Sequence, residues 1–205
     1  MNKKLALVIA AALLSVVMMV AAVAEGLNRD IKRSEYEGNG VVEVDFLRDV
    51  RYDHPQLTVT DSTGAAVPAQ IINTDDDDIK FRIENPLPGE TYEYAFTGIS
   101  ARRGGGEMNV SGSFRVPQEG EVVIRKIQYD RDGEIEIDFS GSVEYGDVKA
   151  AVSSLLGGEF EVVITEKDRD GIEGYVKGLE YGGIYTLTVS GVGAAELSTE
   201  FIAVD

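Results

Sequence analysis

Residues 41–46 read VVEVDF, and residues 134–139 read EIEIDF. The two strings lie 93 residues apart, and the same offset aligns most of the chain without a net gap. It pairs Ile31 with Ile124, Tyr36 with Tyr129, Gly40 with Gly133, Asp45 with Asp138 and Phe46 with Phe139. Further along it pairs Val50 with Val143, Tyr52 with Tyr145, Asp75 with Asp168, Tyr92 with Tyr185 and Gly98 with Gly191. A period this long fits a whole small domain better than a solenoid repeat. The chain therefore reads as two copies of one domain, residues 25–117 and 118–205.

Each copy consists of short alternating runs separated by turn signals, the pattern of half-buried strands. In VEVDF, Val44 and Phe46 point one way while Glu43 and Asp45 point the other. The first copy holds such runs at about 30–37, 41–47, 56–61, 69–74, 79–84, 91–100 and 110–116. The second holds them at about 122–130, 134–140, 148–153, 159–165, 172–177, 184–191 and 197–204. About seven strands in roughly 90 residues predict an all-β chain of two tandem immunoglobulin-like β-sandwiches. The segment 147–156 is the weakest strand and is also compatible with a helical turn.

The N-terminus stands apart. Lys3 and Lys4 precede an apolar run from Leu5 to Val20, and Ala22-Val23-Ala24 follows. A charged start, an apolar stretch and a small-x-small site describe a secretory signal peptide, residues 1–24, cut after Ala24. The rival is an uncleaved anchor, because Leu5–Ala24 is almost long enough to span a bilayer. No second apolar span follows, so the expectation after cleavage is a chain without a membrane span. Removing Lys3 and Lys4 takes the formal charge from −17 to −19. Such a surface repels nucleic acid, and no nucleic-acid partner is expected.

The chain has no Cys, no Trp and one His. Disulfides, thiolate metal sites, cysteine nucleophiles and His-rich metal sites are thereby excluded. His54 precedes Pro55 in a loop, and no Gly-x-Ser-x-Gly string supplies it with a nucleophile. No catalytic set emerges, so an enzyme is not expected. The conspicuous polar feature is Asp75-Asp76-Asp77-Asp78, matched in the second copy by Asp168-Arg169-Asp170-Gly171. Both lie between expected strands. Carboxylates converging from a loop suit a hard cation such as Ca2+, with Asp75, Asp76, Asp77 and Asp78 as ligands. The alternative is a solvated turn, since Asp and Gly are turn residues. No Asp-x-Asp-x-Asp-Gly loop closes with a Glu.

Asp130-Arg131-Asp132-Gly133 and Glu37-Gly38-Asn39-Gly40 read as tight hairpins. A cation shared by Asp130, Asp132 and the junction at Glu119 and Glu121 is a further expectation. Arg102-Arg103-Gly104-Gly105-Gly106 is a basic excursion in the last hairpin of the first copy, either a partner-contact tip or a floppy loop. Tyr36, Tyr52, Tyr129 and Tyr145 have the chemistry to stack on a sugar, but their recurrence at matched positions favours packing under loops. Glu43 and Asp45 read as a solvated strand edge. Val116–Glu121 is a short linker that leaves little to flex.

The strings VEVDFLRDV at 42–50, LTVTDSTGAAV at 57–67 and PLPGETYEYAFTGIS at 86–100 resemble the bacterial Ig-like domain of surface-layer and other envelope proteins, a relative in shape of fibronectin type III. IEIDFSGSV at 135–143 and LEYGGIYTLTVSGV at 179–192 repeat the pattern more loosely. The resemblance implies a tyrosine corner at Tyr92 and Tyr185. It also implies a secreted, cell-surface or periplasmic module that acts as a spacer, an adhesion element or a contact for an envelope protein or cell-wall component. The missing Trp departs from an ordinary fibronectin domain, and the missing Cys pair from an antibody-type one. A calcium- or glycan-binding module using the acidic loops is the alternative.

Overall fold

The computed structural model describes residues 30–154, 157–193 and 195–204. The expected signal peptide or anchor, residues 1–24, lies outside them. Among the described residues the chain is all-β, without a helix, and so without one long and apolar enough to cross a membrane.

Fourteen strands follow in order. The first half holds β1 (Ile31–Gly38), β2 (Val41–Phe46), β3 (Val50–Thr60), β4 (Ala69–Thr74), β5 (Asp78–Ile83), β6 (Thr91–Ala101) and β7 (Val110–Arg115). The second holds β8 (Ile124–Tyr129), β9 (Glu134–Phe139), β10 (Tyr145–Ser154), β11 (Glu159–Lys167), β12 (Gly171–Tyr175), β13 (Ile184–Val192) and β14 (Leu197–Ile202). The segment read as the weakest strand is strand, as β10, up to Ser154.

In the first half two sheets, β1-β2-β5-β4 and β3-β6-β7, face each other. Alternation decides what lies between them: Val42, Val44, Phe46, Ile79, Phe81 and Ile83 point inward from one, and Tyr92, Tyr94 and Phe96 from the other. Phe81 sits at the centre, its ring 5.6–5.8 Å from those of Tyr94, Phe96 and Phe114. The second half departs from the expected separate sheets. Its strands form one continuous sheet, β14-β13-β10-β11-β12-β9-β8, whose outer strands β14 and β8 come into contact. The physical reason lies in β11. Ala150–Ser153 of β10 pair with its first part and Gly174–Tyr175 of β12 with its later part, so one strand serves both faces. In the first half Val67 still bonds Val59, but Pro68 follows with no N–H to extend that ladder.

Three irregularities of the backbone repeat at the sequence offset. Register shifts fall at Lys32 and Arg125, at Ile72 and Thr165, and in Tyr52–Gln56 and Tyr145–Lys149. The third pair depends on glycine. Gly98 and Gly191 have φ of +74° and +75°, and a Cβ on either would collide with the carbonyl of Asp53 or Asp147. Side chains in the core are freer. Phe81, Tyr94 and Phe96 correspond to Gly174, Leu187 and Val189, and Phe160 packs edge-on to Tyr185 from the position of Val67. The partly buried hydroxyl pair Ser34–Tyr94, 2.5 Å apart, becomes Ile127 and Leu187, so a polar pair is exchanged for an apolar one and neither hydroxyl is left unpaired.

Gly98→Ala is expected to destabilise the protein by about 3 kcal/mol, combining left-handed strain with a backbone clash. Gly64→Ala, at φ +80° but in open space, should cost only about 1 kcal/mol. Urea unfolding of the two variants measures the difference, and equal losses would show that the close approach of β3 and β6 carries no weight.

Candidate functional site

The acidic loop is built by the backbone before its carboxylates enter. It joins β4 to β5, and its carbonyls face strands of both sheets. The N–H of Phe46 donates to Asp77 O at 2.7 Å, and that of Val50 donates to Asp76 O at 2.6 Å. Tyr52, on the opposite sheet, donates its hydroxyl to Asp78 O at 2.5 Å, with Asp75 O 2.9 Å away. The Asp75 N–H closes the turn on Asp78 O at 2.9 Å. The second half repeats the arrangement. Phe139 donates to Asp170 O at 2.8 Å, Val143 to Arg169 O at 2.9 Å, Tyr145 to Gly171 O at 2.5 Å, and Asp168 to Gly171 O at 2.9 Å. Arg169 replaces Asp76 without loss, because its carbonyl and not its side chain is the acceptor.

The carboxylates divide. Asp75, Asp76 and Asp77 are exposed, and Asp78 is half-buried. Asp75 Oδ1 accepts the N–H of Asp76 at 2.7 Å, and Asp76 Oδ2 takes Arg102 Nη1 at 2.5 Å. Arg102 also reaches Asp49 at 3.5 Å, so the root of the Arg102–Gly106 excursion is fastened to the acidic loop. Asp78 Oδ1 is buried without a hydrogen-bond partner. Burial pushes the Asp78 carboxyl upward, and Glu43, Asp45, Asp75 and Asp77 push it the same way. The Tyr52 hydroxyl is driven well above its usual range, first by burial and then by the four aspartates.

Asp45 faces Asp78 across β2 and β5. Glu43 and Asp45 do not form the solvated edge that the sequence suggests. Strand β2 is internal, flanked by β1 and β5, and long basic side chains on both neighbours cover its polar face. Arg33 Nη2 lies 2.6 Å from Asp45 and 3.5 Å from Glu43, and Lys80 lies 2.9 Å from Glu43 and 2.7 Å from Glu37. Acid is in excess in this layer. Burial raises both Glu35 and Asp45 above the ordinary carboxylate range, and the Arg33 guanidinium offsets this only in part.

The remaining candidates are placed as follows. Asp130, Asp132 and Glu134, at the β8–β9 turn, bring one carboxylate oxygen each within 4.8 Å of one another, the one such group of three among the described residues. Sequence reading had picked out Asp130 and Asp132 but paired them with Glu119 and Glu121. Glu121 instead holds Arg115 at 2.7 Å and the Gln118 N–H at 2.7 Å within the linker. His54 is exposed, has φ +49°, and touches Asp53 at 2.9 Å. Tyr36, Tyr52 and Tyr145 are partly buried and Tyr129 is buried, as packing under loops requires. The exposed tyrosines are Tyr175 and Tyr181, which sequence reading passed over, and Arg131 stacks on Tyr181 at 4.3 Å. Tyr92 accepts the Leu87 N–H at 3.0 Å and Tyr185 the Glu180 N–H at 2.7 Å, the bonds expected of a tyrosine corner.

No protein-family model matches the chain, and none of the curated proteins matches it. Among solved structures it is similar to the BSP domain of a biofilm-associated protein, at 17% identity and a TM-score of 0.36, over 84% of this chain and 29% of that one. It is similar also to the N-terminal part of the bacterial S-layer protein SbsC, at 11% identity and a TM-score of 0.37, over 85% and 43%. Bovine butyrophilin follows at 12% identity and a TM-score of 0.24, over 79% and 89%. The chain thus spans less than half the length of the first two.

The raised carboxylates give a signed pH dependence. Glu35, Asp45 and Asp78 bind protons more readily folded than unfolded, so stability rises as pH falls. The gain starts above the ordinary carboxylate range and is complete once the unfolded chain is protonated as well. Melting temperature should therefore be higher at pH 5 than at pH 7.5. Glu35→Gln should shrink that gain, while the exposed change Glu84→Gln should shrink it less. An equal effect of both variants would assign the gain to net charge alone.

Proposed function

We propose that the protein is a non-catalytic module of the cell envelope or of the secreted fraction, built from two tandem Ig-like copies, residues 25–117 and 118–205, that hold or space other envelope components. The observation that supports this reading is the recurrence of the same cross-bracing bonds in both halves. Polar groups that look like site residues in the sequence, the acidic loops and Tyr52 and Tyr145 above all, are used to tie strands together. That is how a stiff scaffold spends its polar loops. The leader at residues 1–24 supports export, and contacts with an envelope protein or cell-wall component follow as the role.

A cation at the acidic loop is the second reading. The buried, unpartnered Asp78 Oδ1 amid other carboxylates favours it. Opposed to it is the Arg102 guanidinium, which already compensates Asp76.

Two measurements test these readings. Expressed with its leader in a bacterium, the chain should reach the envelope or the medium with Glu25 as its first residue. A cytosolic product that retains Met1 would overturn the export reading. Melting in EDTA and then in millimolar calcium, with magnesium as control, tests the cation. A site held at 100 times its dissociation constant adds about 2.7 kcal/mol. A calcium-specific rise that Asp78→Asn abolishes would establish the second reading, and an unchanged melt would remove it.

A further inference from the structure

Strand β1 touches β8 and β14 of the second half. Clefts of about 470 and 450 Å³ open on the two sides of this contact. The halves therefore meet along the line of β1. On that line lies Glu35, a carboxylate only 9% exposed. Its Oε2 is 3.3 Å from Arg33 on its own strand, and its Oε1 is 3.4 Å from Nε of Arg125 on β8. Arg125 stays in register with its own half through Asp138 on β9, at 3.9 Å.

The reach of Arg125 has a local cause. It is the residue skipped in the β8–β9 register, between Ile124 and Lys126, and a bulge re-aims the side chain it carries. Lys32 occupies the same bulge in β1. Glu121 ties the linker to both halves. The Glu121 carboxylate holds Arg115 of β7, and its carbonyl accepts the Ser140 hydroxyl at 3.3 Å. The Glu35–Arg125 pair is a second tie between the halves, separate from the linker.

We propose that Glu35 and Arg125 form an ionic clasp that fixes the angle between the two halves, acting with the linker that Glu121 ties down. The clasp rests on the two-copy reading. A charge pair desolvated on one side holds direction better than an exposed one, because long exposed pairs are screened and mobile. Glu35 is thus a positioning residue for the two halves.

The absence of cysteine allows a clean test. Ser62→Cys in the β3–β4 turn and Ser142→Cys after β9 place one spin label on each half of the full chain. The unaltered pair should give one narrow distance distribution by double electron–electron resonance. Glu35→Gln and Arg125→Gln should each broaden and shift it, and the double variant should do no more than either single change. Arg125 is half-exposed, so Arg125→Gln keeps the test valid should Glu35→Gln fold poorly. An unchanged distribution in both variants overturns the clasp. Limited proteolysis then separates the causes. Cleavage within 117–121 that leaves two protected fragments shows that the two copies stand and the clasp alone fails. A chain that yields no protected fragment of either half on extended digestion and melts as one unit shows that the two-copy reading itself has failed.

Discussion

The structure depends on the carbonyl groups of one turn, used twice. A small sandwich must hold its layers in register, and buried side chains resist separation better than they resist sliding. Hydrogen bonds from the β4–β5 turn to Phe46 and Val50, and from the Tyr52 hydroxyl to Asp78, supply the directional restraint. The β11–β12 turn does the same for Phe139, Val143 and Tyr145. Buried backbone groups must find partners. Here the partners belong to other strands, so satisfying the turn and bracing the fold are one event. This explains why Arg169 can stand for Asp76, and why Phe81 can give way to Gly174 while the brace around it persists.

The same brace fixes where charge collects. The turn brings Asp78 opposite Asp45, and the pairing of β1 with β2 brings Arg33 over Asp45 and Glu43. Fewer cations than carboxylates face this sheet, so burial is left partly uncompensated. That cost is limited at Glu35, Glu43 and Asp45 because Arg33 and Lys80 match part of their charge, and removing an ion from water costs most when no counter-ion follows, as at Asp78. The halves join at the end of this layer, through Glu35.

Much of the fold was legible in the sequence. The alternation in VEVDF and EIEIDF assigned the buried faces of β2 and β9, and the offset aligned the turns and paired Tyr92 with Tyr185. What failed to show was neighbourhood. Alternation tells which face a residue takes but not whether its strand is internal, so Glu43 and Asp45 read as a solvated edge although Arg33 and Lys80 cover them. The continuous sheet of the second half was hidden for a similar reason. Pro68 interrupts β3–β4 pairing, but nothing local in Phe160–Val163 announces that β11 will pair on both sides. Of the candidate site, the acidic string was obvious, while the decisive atoms were its carbonyls, which every residue has and no composition reveals.

A brace made of backbone, repeated at a fixed offset, also constrains how such a protein can change. Surface carboxylates on the turn are free to be exchanged, as Asp76 and Arg169 are. Core side chains can be exchanged in compensating sets, as Ser34 and Tyr94 are for Ile127 and Leu187. Gly98, Gly191, Tyr52 and Tyr145 cannot be exchanged so easily, because each answers to a carbonyl whose position the surrounding strands set. A chain built this way keeps its shape while its surface varies. The joint between the halves is the exception. There the Glu35 carboxylate meets the bulged Arg125 through side chains, beside a linker that Glu121 ties down.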